Sequence, residues 1–147
     1  MEYIVFKLDN ENYTIPLDKI KEILVYSQII ITELFAESPA VKGLMNLRGE
    51  VIPILDLRVH FDIDTITYDE NTVVIVIKTL GNKLIGIIVD NIDSILELNQ
   101  QVITPAPNMG ISIKPDYIEG LIKLNNQQMA TLLNIDTVLL LEEFELA

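Results

Sequence analysis

Residues Gly43–Arg58 read GLMNLRGEVIPILDLR. Apolar residues flank Arg48-Gly49-Glu50 on both sides. Gly49 can take a left-handed φ at no steric cost, so Arg48-Gly49 is expected at the tip of a tight hairpin. Val51, Ile52, Ile54, Leu55 and Leu57 make the returning strand. Pro53 has no N–H to donate, which restricts that strand to a sheet edge or a bulge. A long cation is thereby held out on a fixed turn with apolar surface on both sides, an arrangement suited to docking rather than catalysis.

Upstream, Tyr3–Leu8 and Tyr13–Leu17 alternate around Asp9-Asn10-Glu11-Asn12, a hairpin with a polar loop. Asp18–Leu24 has Ile20, Ile23 and Leu24 at helical spacing behind a capping Asp18, and a single turn leading into a strand fits equally well. Ile29–Thr32 is extended, and Ser38-Pro39 starts a turn into Gly43. Downstream, Asp62–Asn71 is polar and acidic and marks the best internal boundary. Thr72–Lys78 and Leu84–Val89 are strands joined by a turn, and Asp90–Leu98 repeats the helical-turn pattern. Thr104-Pro-Ala-Pro107 breaks the chain. Leu121–Leu124 and Met129–Leu133 form another strand pair, and Asn134–Glu143 ends as a short helix capped by Asn134 or Asp136.

This order conceals a duplication. At an offset of 72, Leu8, Asn10, Ile15 and Leu17 fall on Leu80, Asn82, Ile87 and Val89, and Asp18, Ile20, Ile23 and Leu24 fall on Asp90, Ile92, Ile95 and Leu96. At an offset of 77, Val41, Gly43, Leu44, Leu47 and Leu55 fall on Ile118, Gly120, Leu121, Leu124 and Leu132. Two halves, 1–68 and 69–147, thus carry the same series of elements, with room for strand exchange at the soft boundary between them. The expected fold is all-β: each half has too many short strands for an open sheet, and closing each into a small barrel removes its edges. The two barrels pack side by side, with short helical turns and a short C-terminal helix. The apolar seam between them is a natural place for a partner.

The bulk properties bound the function. The chain has 147 residues, half of them apolar, and no cysteine, so disulfides and thiolate chemistry are excluded. Its net charge of -12 repels phosphate backbones and anionic membrane surfaces, which argues against nucleic-acid binding. The N-terminus has no secretory pattern, and no run reaches the roughly 20 apolar residues of a membrane span. A soluble, cytoplasmic protein is expected.

Catalytic and metal chemistry find no support. His60 is the only histidine and cannot fill a metal site without Asp62 and Asp64 in a geometry that nothing fixes, so it is expected to be structural, at the surface. No nucleophile elbow surrounds Ser27, Ser38, Ser94 or Ser112. Asp9–Asn12 lacks the glycine and glutamate of a calcium loop. Glu142-Glu143 and Asp69-Glu70 are solvated charge. The expectation is a non-enzyme without cofactor or metal. Arg48 stands apart, because an arginine at a rigid tip beside apolar surface has the composition of an interface hot spot. Its counterpart at the offset of 77 is Asn125, so the fold needs the hairpin twice and the arginine once.

Taken in order, Pro39–Gly49, Val51–Arg58, Leu80–Asp90, Pro105–Pro107 and Leu132–Asp136 resemble the CheW-like adaptor (coupling) proteins of bacterial chemotaxis. The resemblance runs from about Tyr3 to Leu141 and implies two five-stranded, SH3-like barrels in a single CheW-like domain, 1–147. It implies a non-enzymatic scaffold bridging the cytoplasmic tip of a chemoreceptor (a methyl-accepting chemotaxis protein) to the regulatory domain of a chemotaxis histidine kinase. It also implies a cytoplasmic location, with recruitment to receptor arrays through those partners. The implied partner surface comprises Ile20, Glu22, Val41, Gly43, Asn46, Leu47, Arg48 and Gly49, and Met109 marks a second interface. A CheW-like module in a non-chemotaxis kinase pathway is the second reading. The short chain favours a free adaptor over a fusion.

Overall fold

The structure, a computed structural model, describes residues 1–34, 36, 38–64, 66–98, 103–104, 114–125 and 127–140. Among the described residues, twelve strands and two single-turn α-helices follow one another: β1 (Glu2–Leu8), β2 (Glu11–Pro16), β3 (Ile20–Val25), β4 (Thr32–Glu33), β5 (Val41–Leu47), β6 (Glu50–Asp56), α1 (Leu57–His60), β7 (Val73–Lys78), β8 (Leu84–Val89), β9 (Asn91–Glu97), β10 (Ile103–Thr104), β11 (Ile118–Lys123), β12 (Met129–Leu133) and α2 (Ile135–Val138). They form two sheets, a terminal sheet ordered β10-β11-β12-β2-β1-β9 and a central sheet ordered β3-β7-β8-β6-β5-β4. Each has five strands of five to seven residues and a two-residue strand at one edge, and each is an SH3-like subdomain.

The strand orders are the same under exchange of β1–β6 with β7–β12, so the duplication is real in three dimensions. The pairs β2·β12 and β8·β6 are both parallel, and the other pairs are antiparallel. The bulges match as well. Lys21 is skipped between Ile20 and Glu22, and Asp93 between Ile92 and Ser94. Lys42 is skipped between Val41 and Gly43, and Glu119 between Ile118 and Gly120.

The soft boundary takes the form of strand exchange, and the helical spacing needs correction. The boundary at 68/69 separates neither sheet: β1 and β2 lie with β9–β12, and β7 and β8 lie with β3–β6, so each repeat lends its first hairpin to the other. At Asp18–Leu24 the alternative of a single turn leading into a strand is the one found, a 3₁₀ turn at Leu17–Lys19 followed by β3, whereas the helical pattern at Asp90–Leu98 is the strand β9. The bulges explain the misreading. One inserted residue turns an alternation of two into a spacing of three and four.

Loop lengths shift the sequence register. Leu8 is buried, whereas Leu80, its match at an offset of 72, is 79% exposed in a longer β7–β8 loop. β6 is not an edge strand either. It pairs with β5 on one side and with β8 on the other, and the β8 ladder starts at Ile54, just past the missing N–H of Pro53.

The seam between the sheets is the main core rather than an open groove. Ile4, Phe6 and Leu8 of β1 pack there with Ile75 and Ile77 of β7, Ile85, Ile87 and Val89 of β8, and Val138 and Leu139 near the end of the described chain. Alternate residues point into the subdomains: Met45, Ile52, Ile54, Val74, Val76 and Ile88 in the central sheet, and Tyr3, Ile122 and Leu132 in the terminal one. β1, β7 and β8 are therefore buried on both faces, which is why they read as continuous apolar runs.

Candidate functional site

Leu47 pairs with Glu50, leaving Arg48 and Gly49 as a two-residue loop. Their φ angles, +50° and +88°, have the positive signs that a mirror-image type I′ turn requires. For glycine this costs nothing, while a left-handed arginine costs about 1–2 kcal/mol. Asp9 and Asn10, at φ +49° and +66°, make the β1–β2 turn with residue types that tolerate the conformation. The hairpin tip therefore accepts strain that another residue would avoid.

The curl of the central sheet brings this tip to β3, although β7 and β8 lie between β3 and β6 in strand order. Arg48 donates from Nη2 to Glu22 Oε1 at 2.7 Å and Oε2 at 2.9 Å, and from Nη1 to Oε2 at 3.3 Å. The bulge at Lys21 sets the direction of Glu22. The Arg48 side chain remains 68% exposed and that of Glu22 is 23% exposed, so the pair contributes at most about 1 kcal/mol to stability. Ile23 and Val25 on β3 and Val51 on β6 are exposed apolar residues on strands of the same sheet.

The residues expected at the partner surface divide into two groups. Glu22, Asn46, Arg48 and Gly49 are brought together at the tip, where Asn46 Oδ1 accepts the Gly49 N–H at 2.9 Å. Ile20 and Leu47 are half-buried and pack against core clusters. Val41 and Gly43 are buried under the two-residue strand β4, with Gly43 opposite Glu33. They hold the hairpin in place instead of presenting surface. Met109 lies outside the described residues. In the second repeat the equivalent hairpin is longer: Leu124 N–H donates to Gln128 O, and Gln127 takes the left-handed φ of +67°.

Sequence reasoning missed the most strongly bonded cluster among the described residues. Arg58, 0% exposed, donates from Nε and Nη2 to the two oxygens of buried Asp56 at 2.9 and 3.0 Å, and from Nη1 to Asp90 Oδ1 at 2.8 Å and Thr67 O at 2.6 Å. Asp56 also caps α1 through the Arg58 N–H, and Asp90 Oδ2 accepts the Asp9 N–H at 2.7 Å. The cluster ties α1, the loop after it, the β8–β9 crossover and the β1–β2 turn together. Burial alone would lower the pKa of Arg58, but its hydrogen bonds to Asp56 and Asp90 outweigh that and hold it above its ordinary value. The signal available in sequence was a pair of charges, Asp56 and Arg58, closing an apolar run, with Asp90 in repeat register with Asp18. The related position in the other repeat reverses the polarity, with Lys19 Nζ on Asp136 Oδ2 at 2.7 Å.

Tyr68 covers the cluster. Its hydroxyl donates to Asp56 Oδ2 at 2.8 Å, Arg58 lies 4.8 Å from its ring centroid, and Tyr26 stacks at 4.7 Å. Burial and the Asp56 carboxylate hold the phenol above the ordinary tyrosine pKa of about 10. The unfolded chain thus loses this proton first, and stability falls as pH rises past that value. Tyr13, raised chiefly by burial, acts in the same direction. Tyr68→Phe is expected to lower the urea midpoint at pH 8 and to flatten its decline at alkaline pH, leaving the part due to Tyr13. An unchanged alkaline slope would disprove the assignment.

His60 is half-buried at the seam rather than solvated. Nε2 lies 3.2 Å from Val138 O, and the ring sits against Phe61 and Tyr117. Among the described residues no three His, Cys, Asp or Glu side chains gather where they could hold a metal ion. No described helix is long and apolar enough to cross a membrane.

Two interlocked SH3-like subdomains with a strained arginine at an exposed turn define a protein-interaction module. The CheW-like domain model matches residues 2–143, and the chain belongs to that family. The chemotaxis protein CheW of Klebsiella aerogenes is 39% identical over 99% of this chain and 85% of its own length. That of Bacillus subtilis is 29% identical over 90% and 80%. The crystal structure of the scaffolding protein TtCheW from Thermoanaerobacter tengcongensis superposes with a TM-score of 0.82 at 26% identity, covering 93% of this chain and 86% of that one.

Proposed function

We propose that this chain is a non-enzymatic cytoplasmic adaptor that couples chemoreceptor cytoplasmic tips to the regulatory domain of a chemotaxis histidine kinase. The observation that carries the reading is the Glu22–Arg48 pair at an exposed, strained tip, with Ile23, Val25 and Val51 exposed on β3 and β6. A cation already held in a bidentate geometry loses little side-chain entropy on docking, and adjacent apolar area supplies the burial that such a contact needs. The tip is on the central sheet, and the seam is filled by the main core. On this reading the partners dock at the Arg48 tip and not between the subdomains.

Titration calorimetry with a receptor-tip fragment and, separately, a kinase regulatory domain tests the reading. The wild-type chain binds both. Arg48→Glu weakens assembly by about tenfold or more, while its melting temperature stays within a few degrees, because the tip is solvated. Binding of the wild-type chain to neither partner would overturn the proposal. A large loss of stability in Arg48→Glu would make the arginine structural.

A further inference from the structure

We infer that Asn46 is a positioning residue that keeps Arg48 in its left-handed conformation, and not itself a contact residue. The inference rests on the partner-binding reading of the Arg48 tip and adds to it the group that sets the tip's geometry. In a two-residue hairpin the closing pair is Leu47 and Glu50, so the N–H of the second loop residue, Gly49, has no ladder partner. Asn46 Oδ1 accepts that N–H at 2.9 Å. The acceptor reaches past Leu47 and Arg48 to the far side of the loop. It therefore closes a ring around Arg48, and a relaxed φ at that residue would break the bond.

Two comparisons within the molecule support this. The Asp9-Asn10 turn has residues that enter the left-handed region readily, and its Asp9 N–H is held from outside by Asp90. At the repeat-related hairpin, Lys123 stands where Asn46 does and offers no acceptor. There the two-residue loop is replaced by a longer one that closes between Leu124 and Gln128. The acceptor at this position and the two-residue loop occur together in one repeat, and neither occurs in the other. On this inference the Asn46 carbonyl oxygen serves the turn, and any effect of its loss on affinity comes through Arg48.

The test compares Asn46→Ala, which removes the acceptor, with Asn46→Asp, which keeps one. Three readouts are taken: hydrogen exchange of the Gly49 amide, the backbone chemical shifts of Arg48, and affinity for a kinase regulatory domain. Asn46→Ala is expected to speed Gly49 exchange about tenfold, the loss of one net hydrogen bond, to move the Arg48 shifts out of the left-handed range, and to weaken binding. Asn46→Asp is expected to restore all three. Unchanged Arg48 shifts in Asn46→Ala overturn the inference whatever the partner does. Binding lost equally in both variants with unmoved shifts makes Asn46 a direct contact and overturns it as well. If the wild-type chain binds no partner, the functional reading fails, and the exchange and shift measurements still decide the role of Asn46.

Discussion

Arg58→Met will cost the fold about 3–5 kcal/mol, read as a large drop in the urea midpoint. Methionine fills much of the same space, so the loss is electrostatic. Asp56 is 0% exposed, and without Arg58 it keeps only the N–H of residue 58 and the Tyr68 hydroxyl. A carboxylate in that position has no compensating charge and no water. Asp90 Oδ1 and Thr67 O lose their donor in the same step. Adding Asp56→Asn removes the stranded charge and should recover roughly half of the loss. A single substitution costing less than about 1 kcal/mol would show that the cluster contributes little. Asp136→Asn at the repeat-related pair provides the contrast. Those side chains are 27% and 22% exposed and share one hydrogen bond, so the change belongs to the range below about 1 kcal/mol.

Gly43→Ala is expected to destabilise the chain by on the order of 3 kcal/mol, through strain rather than lost packing. Gly43 sits beside the β5 bulge at φ +152°, a conformation that side chains rarely adopt. A Cβ there would lie 2.0 Å from Thr32 O, well inside contact, and the obstacle is backbone. β4 must then leave the edge of the sheet. Differential hydrogen exchange should show protection lost at β4 and β5 and kept in the terminal sheet. Equal stability of wild type and variant would refute this account. Partner binding weakened by Gly43→Ala would follow from a displaced hairpin, since Gly43 itself is buried.

Much of the architecture could be read from residues. The hairpin at Arg48-Gly49, the duplication and the pairing of the strands within each hairpin follow from period, turn chemistry and self-similarity. Two kinds of information could not be read. Bulges shift a side chain to the other face without changing composition, so Ile20, Ile23 and Leu24 imitate a helix while lying in β3. Membership of the terminal sheet depends on contacts more than 80 residues apart, such as Ile4 opposite Ile95, and local pattern carries no trace of them. The site was legible in part. Glu22 meets Arg48, and Asn46 bonds within the same hairpin, but residue spacing places Glu22 in a helical pattern, so only the resemblance puts it beside the hairpin. The buried role of Gly43 required the position of Thr32. The Arg58 cluster required the meeting of Asp56 and Asp90 across a loop and a crossover.

The exchange of first hairpins between the repeats imposes an order on how this chain comes into being. Asn12 lies beside Ala130, 118 positions further on (130 minus 12). A ribosome releases the hairpin that opens the terminal sheet first and the strands that complete it last. Until then β1 and β2 have neither neighbour, and their two apolar faces stay uncovered while the central sheet is assembled. Each repeat alone would face the same gap permanently, with an unfilled slot where the other's hairpin belongs. Two copies of a single-repeat ancestor could fill both slots by trading hairpins. Joining them in one polypeptide makes that trade internal and leaves the finished molecule with no slot to offer.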